Sequence, residues 1–189
     1  MTSPSGAPAP PLPRLREMRW WDIEAVLGLE HELFPEDAWT AGLFWSELAR
    51  TRGPSATHRY VVAEAEDGRL AGYGGLATTA GTGDIQTIGV LPAYRGTGLA
   101  GRLMDELLAA AVRFGCHEVL LEVRVDNAPA KRLYERYGFR AIGVRRGYYQ
   151  PGNVDALVMR RALDDGGTPE SSSSTSLSTP PAQGTHTHG

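Results

Sequence analysis

From Asp84 to Leu103 the chain reads Asp-Ile-Gln-Thr-Ile-Gly-Val-Leu-Pro-Ala-Tyr-Arg-Gly-Thr-Gly-Leu-Ala-Gly-Arg-Leu. That is a strand-like apolar run, an exit marked by proline, a glycine turn and the start of a helix. A helix N-terminus leaves its first N–H groups unpaired and carries the positive end of the helix dipole. A glycine turn that opens into a helix therefore lets main-chain donors close on a phosphate or diphosphate. Gly96, Gly98 and Gly101 supply the close approach.

The glycine spacing by itself is ambiguous. Gly96-Thr-Gly-Leu-Ala-Gly101 also satisfies the G-x-G-x-x-G dinucleotide pattern, with Glu122 near the distance expected of a ribose-binding acid. In a dinucleotide fold the glycines follow the strand directly, whereas here Leu91 to Arg95 intervene after Val90. A nucleoside-triphosphate loop is disfavoured more strongly, because Leu99 and Ala100 stand where Lys and Ser or Thr should follow the last glycine.

The chain around this stretch predicts an alternation of strands and helices. Arg14 to Met18 reads as a first strand, after which Asp22 can cap a helix carrying Ile23, Val26, Leu27 and Leu29 that stops at Pro35. Asp37 is the expected cap of a second short helix bearing Leu43, Phe44 and Leu48, so Phe34 to Trp39 becomes a loop between helices. That loop is either a substrate lip or a plain connection in which Phe34 and Trp39 pack. Arg59 to Ala65 and Leu70 to Ala77 flank Asp67-Gly68, a strong hairpin signal, and Thr78 to Gly83 is expected as a turn. Gly72, Gly74 and Gly75 mark a bulge or a close backbone contact in the third strand.

After strand four, from Asp84 to Leu91, a helix with the stripe Leu99, Leu103, Leu107, Ala110, Ala111 and Phe114 ends at Gly115. Val119, Leu121, Val123 and Val125 then alternate with polar neighbours as strand five, and the strand–helix–strand order implies a parallel pair. Asn127 or Asp126 caps the next helix, with Pro129 in its first turn, Ala130, Leu133, Tyr134 and Tyr137 as its stripe and Gly138 as its end. Phe139 to Val144 and Val154 to Met159 complete the sheet.

With 189 residues, 41% hydrophobic content and a net charge of −3, the chain is expected to form one folded domain, residues 13–163. Segments 1–12 and 164–189 are Pro-, Ser-, Thr- and Gly-rich without periodicity and are expected to be disordered. No apolar run approaches a membrane span, and the Pro-rich start lacks the regions of a signal peptide, so a cytoplasmic protein is expected. Mild acidity argues against nucleic acid as a partner. Cys116 stands alone and is read as a buried thiol rather than a nucleophile. His186 and His188 lie in the tail, where no preformed metal site is expected.

Arg95-Gly-Thr-Gly-Leu-Ala100 resembles, position by position, the coenzyme A loop of the GNAT acetyltransferases, Arg/Gln-x-x-Gly-x-Gly/Ala after a strand. The resemblance continues through Leu121 to Arg124, Asp126-Asn127, Leu133-Tyr-Glu135, Tyr137-Gly-Phe139 and Arg145 to Tyr149, which look like the RimI-type ribosomal-protein alanine N-acetyltransferases. It covers about the second half of the folded region and is loose before Asp84. It implies an α/β acyl-CoA N-acyltransferase fold, a mixed and mostly antiparallel sheet of about seven strands with helices on both faces, opened between strands four and five. It also implies acetyl-CoA as co-substrate and an amine as acceptor, the expected one being the N-terminal α-amine of a protein, with N-terminal alanine of a small-subunit ribosomal protein first; a monomer or weak homodimer is expected. A non-catalytic acyl-CoA-binding module and a dinucleotide-dependent oxidoreductase are the rivals from other classes, and a small-molecule amine is the rival acceptor.

Candidate site residues follow. Arg95, Gly96, Thr97, Gly98, Leu99, Ala100 and Gly101 form the diphosphate cradle, and the exposed edge at Ile88, Gly89 and Val90 can take the peptide-like pantetheine arm by strand addition. Glu122 is a poor strand former on the face opposite Leu121 and Val123. It is either the general base that the resemblance assigns to it or the ion-pair partner of Arg124. Tyr134 reads as a core aromatic by periodicity, whereas the resemblance makes it the general acid. Asn127 is divided between helix cap and pantetheine ligand. Phe34, Trp39, Arg145, Tyr148 and Tyr149 are candidate walls for the acceptor, and no metal site is expected.

Overall fold

The computed structural model describes residues 11–163. The expected extensions at 1–12 and 164–189, with the two histidines of the tail, lie outside the described residues apart from Pro11 and Leu12.

Among the described residues seven strands form one sheet: β1 Arg14–Glu17, β2 His58–Glu64, β3 Leu70–Thr79, β4 Thr82–Val90, β5 Glu118–Arg124, β6 Arg140–Tyr149 and β7 Val154–Ala162. Their spatial order is β1-β2-β3-β4-β5-β7-β6, and β4–β5 is the only parallel pair in it. The helices are α1 Ile23–Leu33, α2 Ala41–Leu48, α3 Leu99–Arg113 and α4 Ala128–Arg136. A dinucleotide-binding fold needs a mostly parallel, doubly wound sheet, so this topology removes that rival.

The helices cover both faces because the centre of β2, Tyr60 to Ala63, is apolar on both sides. Tyr60 and Val62 join Val26, Leu29 and Phe44 under α1 and α2, while Val61 and Ala63 point the other way toward Leu99, Leu103 and Leu107 of α3. Glycines in β3 set how closely the layers approach. A Cβ on Gly74 would sit 3.1 Å from Leu107 Cδ1, and one on Gly75 would sit 2.4 Å from the Tyr60 ring. The ladder also shifts register beside Gly75 and Leu76, so close contact and bulge coincide.

Four local expectations are corrected. The cap of α2 is Thr40, whose Oγ1 accepts from Leu43 N–H at 3.3 Å, rather than Asp37. Asp22 precedes α1 but makes no cap bond to it, because its carboxylate accepts from Arg16 at 2.7 and 2.9 Å and from the Arg19 N–H at 2.8 Å. The turn between β3 and β4 is only Ala80-Gly81, both at positive φ (49° and 82°), which matches the twist of a two-residue hairpin. The β-branched threonines at 78, 79 and 82 belong to the strands. β6 and β7 likewise run longer than their apolar patterns, through Tyr149 and Ala162.

Candidate active site

The sheet opens at its parallel pair. Thr82 to Ile85 lie beside Glu118 to Leu121, and beyond Ile85 and Leu121 the two strands part. β4 stays with β3 as far as Val90, and β5 stays with β7 as far as Arg124. The break coincides with a bulge: Leu76 faces Ile85 and Gly75 faces Thr87, so Gln86 is an extra residue that bends β4 away. Tyr60 Oη holds Gln86 by donating to Oε1 at 2.6 Å. Past the bulge, the Ile88-Gly89-Val90 edge has no strand on its β5 side, so alternate main-chain groups face the opening.

On the α1 and α2 face this opening is a cavity of about 410 Å3, lined by Asp37, Trp39, Asp84, Ile85, Gln86, Glu122, Tyr148, Tyr149 and Gln150. Glu122 Oε1 lies 3.3 Å from Arg145 Nη1, so its ion-pair partner is on β6. Arg124 pairs instead with Asp126 at 3.2 Å and with Glu36 at 3.4 Å, and its guanidinium sits over the Tyr149 ring. Arg145 covers Tyr148 in the same way, 5.5 Å from the ring centroid. Burial raises the Tyr148 phenol above its usual range and the Tyr149 phenol to about 12. Phe34 packs into the core beneath α1 and α2 and does not line the cavity, so of the two lip aromatics only Trp39 does.

Two carboxylates here were missed by sequence reasoning. Glu30 is 1% exposed and accepts from Tyr73 Oη at 2.6 Å, the Trp39 N–H at 3.3 Å and Thr87 Oγ1 at 3.4 Å. It thereby ties the lip to α1, β3 and β4, and burial raises its pKa. Its signal was a charge four residues after Val26 on a buried helical stripe. Asp84 lines the cavity beside Glu122. Burial, followed by the Glu122 charge, pushes its carboxyl up to about 6, with Arg145 opposing. An acid leading into an apolar strand gave only a faint hint of this.

Tyr134 lies on the opposite face of the sheet. It is 6% exposed and packs edge-on against Phe139 at 6.1 Å in the α3 core, where burial raises its phenol far above the ordinary range. Glu122 and Tyr134 therefore stand on opposite faces of the sheet, Glu122 in the cavity and Tyr134 in the core under α3. Asn127 is the cap of α4, its Oδ1 accepting from Ala130 N–H at 3.2 Å.

The glycine turn has the shape a diphosphate needs. After a single turn at Pro92–Tyr94, Arg95 is exposed, and Gly96 and Gly98 have φ of 77° and 91° with open space where a Cβ would stand. Gly98 is the N-cap of α3 without a side-chain cap. The first intrahelical bond runs from Arg102 N–H to Gly98 O, so the N–H groups of Leu99, Ala100 and Gly101 remain available to an anion. Thr97 Oγ1 closes the turn on Tyr94 O at 2.7 Å. Gly101 also has a packing reason, since Tyr137 Oη donates to its carbonyl at 2.9 Å and would lie 3.1 Å from an added Cβ. These residues fit the diphosphate and pantetheine of coenzyme A.

Fold and site together define an acyl-CoA-dependent transferase. Residues 15–139 match the Acetyltransferase (GNAT) family, and the chain belongs to that family. It is 40% identical over 149 residues to the N-alpha-acetyltransferase RimI of Mycobacterium tuberculosis, covering 76% of this chain and 89% of that protein. It is 31% identical over 118 residues to the ribosomal protein bS18-alanine N-acetyltransferase of Escherichia coli, covering 61% of this chain and 78% of that one. The crystal structure of the Escherichia coli ribosomal-protein-S18-alanine N-acetyltransferase superposes with a TM-score of 0.69 at 25% identity, over 82% of this chain and 96% of that one. The protein is thus an N-acetyltransferase whose acetyl donor is acetyl-CoA. Among the described residues no helix is long and apolar enough to cross a membrane.

Proposed function

We propose that the acceptor is the α-amine of a protein N-terminus, with the N-terminal alanine of a small-subunit ribosomal protein as the physiological case. The observation that carries this reading is the cavity on the α1 and α2 face, where carboxylates stand between the aromatic walls Trp39, Tyr148 and Tyr149. Such a site suits the cationic, extended end of a peptide. The names of the RimI-type relatives point the same way. In this reading Arg95 to Gly101 hold the diphosphate and the Ile88–Val90 edge, with Asn127, holds the pantetheine arm. Main-chain donors of β4 polarise the thioester carbonyl. Glu122 takes a proton from the amine, directly or through water, and Tyr134 gives one to the departing thiolate. Burial keeps the Tyr134 phenol protonated until that moment. Arg145 orients Glu122, and the lip is held by Glu30. The same proposal places the enzyme in the cytoplasm, as a monomer or weak homodimer.

An α-amine suits such a site chemically. Its pKa is about 7.7–8.0 against about 10.4 for lysine, so far more of it is neutral at pH 7. The test is a competition between peptides with free or blocked N-termini, each carrying an internal lysine, incubated with acetyl-CoA and read by mass spectrometry. Acetylation of the free α-amine, strongest for alanine, is expected. Acetylation confined to lysine, or seen only on small amines, overturns the proposal.

A further inference from the structure

A peptide N-terminus differs from a plain amine in one feature that a site can read. The carbon bearing the amine also bears a carbonyl, so wherever the nitrogen sits, a carbonyl oxygen lies about 3–3.5 Å from it and needs a donor. The carboxylates of the cavity, Asp37, Asp84 and Glu122, serve an ammonium, but when ionised they only accept. Gln86 lines the same cavity from the strand that turns away at the opening, and it is the extra residue of the β4 bulge. In a regular strand consecutive side chains take opposite faces. The bulge breaks that alternation. Thr87 Oγ1 reaches Glu30 of α1 at 3.4 Å while Gln86 reaches Tyr60, which packs under α1 and α2, so both stand on the cavity face of the sheet.

The amide has one orientation available. Tyr60 is fully buried, and among the described residues Gln86 Oε1, at 2.6 Å, is the single hydrogen-bond partner of its hydroxyl. Burial keeps the phenol protonated, and a buried O–H must find an acceptor, so the amide turns its oxygen to Tyr60 and its NH2 group away. No hydrogen bond engages that NH2 group among the described residues, and the side chain is half-buried at the cavity wall. We propose that Gln86 is a specificity-determining residue, its Nε2 donating to the carbonyl oxygen of the acceptor's first residue while the carboxylates face the ammonium. The proposal rests on the α-amine reading of the acceptor given above. It makes the enzyme favour amines with an adjacent carbonyl over those without one, such as a lysine side chain, because the latter fill the cavity and leave the Gln86 N–H groups unpaired.

The test uses two peptides, one with N-terminal alanine and one in which the first peptide bond is replaced by its alkene isostere, which keeps the shape and removes the carbonyl. Wild type and Gln86→Met are compared by kcat and KM on each, the alkene peptide being read by competition where it turns over slowly, with acetyl-CoA binding by thermal shift as the check on folding. Gln86→Met is expected to raise KM for the ordinary peptide about tenfold with kcat little changed, and to match wild type on the alkene peptide. Should the orphaned Tyr60 hydroxyl unfold Gln86→Met, that substitution combined with Tyr60→Phe, which removes both partners, is read in its place. An unchanged KM on the ordinary peptide overturns the proposal, and so does an equal loss on both peptides, which is what a purely structural role in the bulge produces. A wild type that acetylates no peptide α-amine overturns the acceptor reading and this proposal with it, a result distinct from an active wild type whose Gln86 variant is unaffected.

Discussion

At the scale of single residues, the proposed roles separate a group that needs its charge, Glu122, from one that needs to be kept neutral, Tyr134. Tyr134 is buried with no hydrogen bond to its hydroxyl among the described residues, so Tyr134→Phe orphans no partner and costs little stability. Tyr134→Phe and Glu122→Gln are each expected to lower kcat by about 10²-fold or more with acetyl-CoA affinity nearly unchanged, measured by turnover and by titration. Asp84 carries the opposite signature, that of a group tolerated at a cost to the fold. Its folded pKa is raised, so the stability it contributes is complete below about pH 4 and is lost as pH rises through about 6. Asp84→Asn is therefore expected to stabilise the fold by about 1–3 kcal/mol at pH 7.5 and to make no difference near pH 4, as measured by urea unfolding at the two pH values.

At the scale of elements, the glycine turn before α3 is the part whose conformation and function are hardest to separate. Gly98 holds a φ of 91° at the helix N-cap with nothing near its missing side chain, so a substitution meets backbone strain rather than a clash. Gly98→Ala is expected to cost about 1–2 kcal/mol and to weaken acetyl-CoA binding, because the strained turn no longer aims its N–H groups at the diphosphate. Thr40→Ala serves as the control: losing the α2 cap should cost about 1 kcal/mol with affinity for acetyl-CoA intact. Thermal unfolding and titration of both variants check the pair.

At the scale of the whole molecule, the proposed donor site lies between two half-sheets whose strands, among the described residues, pair with one another only over the four residue pairs of β4 with β5. A ligand bridging them ties the halves together. Acetyl-CoA at 100 times its dissociation constant is expected to add about 2.7 kcal/mol of apparent stability, a rise of roughly 5–10 °C, while nicotinamide dinucleotides give none. A chain trimmed to residues 13–163 is expected to show the same shift in a thermal melt. A larger response to a dinucleotide would contradict the cradle described above.

Much of this architecture was legible because its signals are local. The glycine turn, the Asp67-Gly68 hairpin, the alternation of β5, the Asn127 cap and the helix ends at Gly115 and Gly138 each depend on a few neighbouring residues, with φ of 72° and 81° at the two ends. Local competition explains the misplaced α2 cap, since Asp37 and Thr40 are both capable residues and the lip decides which one precedes the helix. What tertiary structure decided is non-local. Glu122 meets Arg145 rather than Arg124 because β7 inserts between β5 and β6 and sets the two side chains on one face of the sheet, and residues two apart on one strand share a face without having to touch. Trp39 reaches the cavity while Phe34 turns into the core, through a lip anchored on Glu30. The strand, turn and helix were therefore written in the order of the residues. The opening between β4 and β5, and the raised carboxyl of Asp84 beside Glu122, arise from charges and burial that meet only when strands distant in sequence are laid side by side.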